Sequence, residues 1–152
     1  MVVMVEGFPS RAFFVELKER IDHASGRFEK LGVFDVSFGV RVLPAGDVSW
    51  RLVVLDFDTY ACTGVRELRA DEPMTGVDFV FEAPYSIWQY MLTSVDANGR
   101  IDADHTLNTL THHDDPIRVA WTDPLSHDKL FRFQESIQLV FDLAASVQRA
   151  AT

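Results

Sequence analysis

The stretch HTLNTLTHHDD, His105 to Asp115, holds three of the five histidines and ends in two adjacent aspartates. Imidazoles beside carboxylates are the raw material of a metal site or an acid–base pair. The spacing argues against a metal. Helical ligands share an ion when they stand three or four residues apart. His105 and His112 are seven apart, roughly 10 Å along a helix axis. His112 and His113 are neighbours and would point about 100° apart. Asp114 and Asp115 would be opposed by the macrodipole at a helix C-terminus. They fit better in a turn before Pro116, because proline pushes the preceding residue out of helical geometry. The stretch therefore reads as a solvated helix end plus an Asp-Pro turn. His127 and Asp128, near the start of the last helix, form a second polar pair and also read as surface. A His–Asp pair assembled through the fold is the rival reading. No GxSxG, P-loop, GxGxxG, CxxC or HExxH pattern occurs, so no metal and no cofactor are expected. Cys62, in YACTGV, reads as a packed small side chain rather than a nucleophile.

Composition narrows the partners. A net charge of −9 argues against binding phosphate backbones of nucleic acid and gives no polybasic help towards an anionic membrane surface. No apolar run approaches transmembrane length, so stable membrane insertion is not expected. MVVMVEGFP lacks the basic n-region of a signal peptide. With one cysteine there is no intrachain disulfide, and a reducing cytoplasm is the simplest setting. Twelve phenylalanines and three tryptophans need either a large core or a cavity to line.

The elements that must position these residues follow from periodicity. Pro9 and Ser10 open a helix. Phe14, Leu17, Ile21, Ala24, Phe28 and Leu31 recur at three- and four-residue steps along it. Gly26 is expected to break or bend this helix and Gly32 to end it. Phe34, Val36, Phe38, Val40 and Val42 then alternate with polar or small residues, the pattern of a strand with one buried face. WRLVVLDF is apolar on both faces, as in a central strand. DTYACTGVREL and VDFVFE supply a third and a fourth strand, and the short connections suggest an antiparallel meander. Pro84 starts a helix with Ile87, Trp88, Met91, Leu92 and Val95. Asp102 or Asp104 caps another through Leu107 and Leu110. IRVAW is a fifth strand, with Ile117, Val119 and Trp121 on one side. A long last helix carries Leu130, Phe133, Ile137, Val140, Phe141 and Ala144. Residues 1–152 thus form one α+β domain: a five-stranded, mostly antiparallel sheet with helices covering one face, an N-terminal helix and a long C-terminal helix.

From FEKLGVFDVSFGVRVLPAGDVSWRLVVLDFDTYACTGV onward the sequence resembles the sterol-carrier-protein family, the domain of sterol carrier protein type 2. LGVFDVSFGV and WRLVVLDF stand at the family's first two strands. GVDFVF and YSIWQYML stand at its fourth strand and following helix, with Trp88 and Leu92 at the matching helical positions. DPIRVAWTDP stands at its late strand, with Asp115-Pro116 in place of the family's glycine before that strand and Trp121-Thr122 after it. The resemblance spans roughly residues 11–142 and rests on element order. It implies helices enclosing an apolar tunnel for a lipid, a sterol or an acyl-CoA-like molecule.

The residues are compatible with such a site, since small-molecule pockets are mostly apolar with few polar groups. Tyr85, Trp88, Met91, Leu110, Phe131, Gln134, Ile137 and Phe141 are the expected ligand-binding side chains. Met91 suits an irregular ligand because its thioether adapts. Gln134, Tyr85 or Tyr90 could orient a polar head group. The expectation is a binding or carrier domain that holds a hydrophobic small molecule in an internal apolar cavity. The alternatives are a small enzyme using a His–Asp pair in the same cavity, and an interaction module whose apolar helix face binds a partner protein, to which a homodimer burying the terminal helix would point.

Overall fold

The computed structural model describes residues 7–44, 50–69, 72–96, 99–101, 106, 117–121 and 124–151. The helix expected from Asp102 or Asp104 to Leu110 lies outside these residues, as do His105, His112, His113, Asp114 and Asp115.

The first helix, α1, runs Arg11–His23, with Phe13, Phe14, Leu17 and Ile21 buried. Ser10 caps it, its hydroxyl accepting from the Phe13 N–H at 3.1 Å, which satisfies one of the donors a helix start leaves open. The interruption falls at Ala24 rather than at the expected Gly26. The Ala24 N–H is shared between the carbonyls of Arg20 and Ile21, tightening the turn there. Gly26 sits inside the next helix, α2, Ser25–Leu31. Gly32 closes α2 at φ 101°, a conformation that glycine adopts without penalty.

The strands are β1 Val36–Leu43, β2 Arg51–Asp58, β3 Ala61–Leu68, β4 Phe79–Pro84 and β5 Arg118–Trp121. They form one five-stranded sheet in the order β3-β2-β1-β4-β5. The sheet is mostly antiparallel, but β4 lies parallel to β1, with Phe38 opposite Phe79 and Val40 opposite Phe81. The expected meander is thus corrected: β4 crosses to the far side of β1 instead of pairing with β3. Its sequence explains why. Phe79, Val80 and Phe81 are all fully buried, so both faces of β4 are apolar, and such a strand belongs inside a sheet.

The two faces of the sheet differ. One carries Phe38, Val40, Val53, Leu55, Phe57, Phe79 and Phe81 into the main core. The other holds a smaller cluster of Leu52, Val54, Leu68, Val77 and Val80, with Trp50 and Met74 against it. Both faces of β2 are therefore buried, as its sequence predicts.

Three more helices follow among the described residues: α3 Tyr85–Thr93, α4 Pro124–Arg132 and α5 Gln134–Ala151. The expected single terminal helix is divided at Phe133. The i→i−4 bonds still run through the junction, from the Phe133 N–H to the Lys129 carbonyl and from the Ile137 N–H to the Phe133 carbonyl. Phe133 turns inward there, its ring 5.5 Å from that of Phe34. The buried Gln148 of α5 accepts from the Phe8 N–H at 2.8 Å, tying the segment before α1 to the last turns of α5.

Candidate functional site

The seam between α1, α3, α5 and the inner faces of β1 and β2 is where the expected cavity would lie. Trp88 dominates it. Its indole N–H donates to the Arg41 carbonyl at 3.1 Å, so the one polar atom of the ring is satisfied in the interior. The ring itself stacks on Phe141 of α5, with centroids 5.7 Å apart and planes 11° from parallel. Phe141 in turn lies 6.2 Å from Phe38 and 6.0 Å from Phe81. Phe8 closes the seam from the N-terminal side, 6.1 Å from Trp88 and 6.3 Å from Tyr85, on which it stacks.

At this place the protein is nearly solid. The gap is about 10 Å³, bounded by twelve apolar side chains that include Phe8, Phe13, Leu17, Trp88, Leu92 and Phe141. That is about the space of a single water, and no polar group faces it to hold one. An arrangement of this kind performs no proton transfer. It can only exclude water or, if its walls part, receive another apolar body.

The eight expected ligand-binding residues fall into four groups. Trp88, Met91, Ile137 and Phe141 are all buried, and all four belong to the main core. Tyr85 is half-buried against that core, and Gln134 is partly exposed at the first turn of α5. Phe131 is a correction: it lies on α4 with 54% of its surface exposed and does not face the interior. It stands two residues, about 200° of helical rotation, from the inward Phe133. Leu110 lies outside the described residues. Tyr90, the other expected head-group partner, is exposed.

No described imidazole approaches the seam. His23 is exposed at the end of α1, and only the backbone of His127 is described. Among the described residues no group of three or more His, Cys, Asp or Glu side chains is placed to hold a metal ion. Cys62 is buried and its thiol donates to the Gly64 carbonyl at 3.4 Å. Burial pushes it up to about 11, so it remains a thiol at neutral pH.

Phe8 is not among the side chains that the sequence marks for the site. Its signal is present, though displaced. An apolar residue just before a helix cap often packs on the first turn, and Phe8, two residues ahead of Ser10, packs on Phe13 and Phe14 at 5.3 and 5.9 Å.

A five-stranded, mostly antiparallel sheet with a helical layer on one face and the last helix in its core is the architecture of the sterol carrier protein 2-like class. No protein-family model matches the sequence, and no curated protein matches it. Solved structures do match. The crystal structure of sterol carrier protein 2 aligns over 90% of this chain and 95% of its own, with a TM-score of 0.66 at 16% identity. The solution structure of a conserved hypothetical protein of Thermus thermophilus, itself named only as a possible sterol carrier protein, aligns over 97% of this chain and 95% of its own. Its TM-score is 0.68 at 19% identity. The chain therefore has the sterol carrier protein 2-like fold, as the order of its elements predicts, and at these identities the likeness is one of fold.

Proposed function

We propose that the chain binds and carries a hydrophobic small molecule, of the lipid, sterol or acyl-CoA kind, in an apolar cavity opened at the seam of α3 and α5. The observation that supports this reading is the chemistry of the seam. Its two sides meet through a flat stack, Trp88 on Phe141, beside a small gap bounded by apolar side chains. Parting that stack exposes apolar ring surface, and a ligand that covers it recovers about 25 cal/mol for each Å² removed from water. The fold shared with sterol carrier protein 2 agrees with this reading.

In this reading Trp88, Met91, Ile137 and Phe141 form the walls, with Leu110 added from its place in the sequence. In the same reading Tyr85, half-buried against the main core, and Gln134, partly exposed at the first turn of α5, would offer hydrogen-bonding partners to a head group. The reducing cytoplasm read from the single cysteine is retained as its setting. No described histidine borders the seam, so no observation favours acid–base catalysis there. Among the described residues no helix is long and apolar enough to cross a membrane.

Native mass spectrometry of freshly purified protein, followed by organic extraction, tests the reading. A co-purifying hydrophobe, or saturable binding of a fluorescent fatty acid that sterol or acyl-CoA displaces, is the expected result. Repeated isolation of empty protein with no affinity for any of the three ligand classes would refute it.

A further inference from the structure

A second cleft, on the outer side of the helical layer, has the opposite chemistry. It lies between α2, Gly99–Arg100 and α5, has a volume of about 610 Å³, and is lined by Arg27, Gly99, Arg100, Asp142, Leu143, Ser146 and Arg149. Three guanidiniums thus face one carboxylate. The chain has only 14 basic residues against 23 acidic ones, so this grouping runs against its overall charge.

The cleft is built by backbone and side-chain contacts. The Arg100 N–H donates to Asp96 Oδ1 at 3.1 Å, and the Asp96 N–H donates to the Arg100 carbonyl at 2.7 Å, fixing the turn from which Arg100 projects. Gly99 sits at φ 77°, and a Cβ there would stand 3.1 Å from Arg149 Nη2, so the absent side chain is what lets that guanidinium lie against the turn. Asp142 Oδ1 accepts from the Ile101 N–H at 3.1 Å and from Gln138 Nε2 at 3.2 Å. Burial raises the Asp142 carboxyl above its ordinary value, and the nearby charges of Arg100 and Arg27 only partly oppose this. Ser146 is engaged already, accepting from Arg20 Nη1 at 2.8 Å and donating to the Leu143 carbonyl at 2.8 Å. The arginines are the donor-rich groups of the cleft, since a guanidinium carries several N–H donors.

We propose that this cleft binds a phosphate group, free or as a monoester, between the guanidiniums of Arg27, Arg100 and Arg149. Each guanidinium presents a planar fork that matches two oxygens of an oxyanion. A carboxylate has two oxygens in one plane, which a single fork satisfies. A tetrahedral phosphate offers oxygens in several directions, and the three arginines come from three separate elements. The volume leaves room for an esterified group beyond the phosphate. The cleft shares no lining residue with the apolar seam, so the proposal stands apart from the carrier function.

Isothermal titration of the full chain with inorganic phosphate, and separately with glycerol 3-phosphate, is the first arm of the test, run at fixed ionic strength with chloride as control. Co-sedimentation with phosphatidylcholine vesicles, with and without phosphatidic acid, is the second. Saturable binding in the first arm identifies a free phosphate or soluble monoester. Binding only to the vesicles that contain phosphatidic acid identifies a lipid head group. In either case Arg27→Gln, Arg100→Gln and Arg149→Gln should each weaken binding about tenfold, the worth of one charge-assisted contact. Asp142→Asn, which removes the opposing carboxylate, should tighten it, a gain that misfolding cannot mimic. All three arginines are exposed, so the variants should keep the native circular dichroism and their affinity for a fatty-acid probe. Absence of binding in both arms overturns the proposal, as does binding that the arginine substitutions leave undiminished or that Asp142→Asn fails to tighten.

Discussion

Trp88 and Cys62 show how much a single residue's type reveals. Trp88 stands on the apolar side of a short helix, and its fit with the helix in sterol-carrier sequences is readable from that spacing. Its bond to the Arg41 carbonyl is not, because it joins two elements distant in the chain. Cys62 reads from its surroundings as a packed small side chain, and it is one. A thiol raised to about 11 from an ordinary 9.0 favours the folded state while protonated. Below about pH 9 neither state is ionised and the contribution is intact. Between about pH 9 and 11 the unfolded chain releases its proton first, and the contribution is lost as pH rises. Urea denaturation from pH 8 upward should therefore show wild type losing stability faster than Cys62→Ala across that window. Parallel slopes for the two proteins would contradict the assigned burial.

At the scale of elements, local patterns are legible and partnerships much less so. The alternation from Phe34 to Val42 specifies β1, and the doubly apolar β2 is as buried as its sequence indicates. The position of β4 escapes a reading from connections alone, since short ones suggest that successive strands are neighbours, although its apolar residues on both faces suit an interior place in the sheet. The same distinction explains Phe131. The amphipathic pattern identifies a helix, but Phe131 lies off the stripe formed by Phe133, Ile137 and Phe141. Gly39, at the centre of β1, supplies a sharp test of the β1–β4 pairing. A Cβ there would come within 3.0 Å of Leu52 Cδ1 and 3.1 Å of Val80 Cγ2, side chains from the strands on either side. Gly39→Val should destabilise the protein by about 1–3 kcal/mol in chemical denaturation, the usual cost of overpacking. A neutral effect would mean that β4 does not lie where it is placed.

For the whole molecule, the expected hollow meets a closed seam. The surplus of phenylalanine is accounted for largely by ring-on-ring packing around Phe38, which has Phe57, Phe79, Phe81 and Phe141 within 6.2 Å. Composition alone cannot separate rings that line a space from rings that fill one, since both need the same residues. A carrier of this build must exchange internal contacts for ligand contacts. Ligand bound only to the folded state stabilises it by mass action. Protein stripped of lipid by organic extraction and refolded should thus have a lower Tm than the material first isolated, and added fatty acid should restore it. An unchanged Tm through both steps would speak against an internal ligand.

The bond between Phe8 and Gln148 has a consequence for biosynthesis. The aromatic face of the sheet is complete once β4 has been made, but its cover includes α5, whose anchoring contact involves a residue made 140 positions after Phe8. A nascent chain must therefore carry that face covered only by the earlier helices until α5 leaves the ribosome, and a message truncated before the codon for Gln134 would encode a sheet whose helical cover lacks its last member.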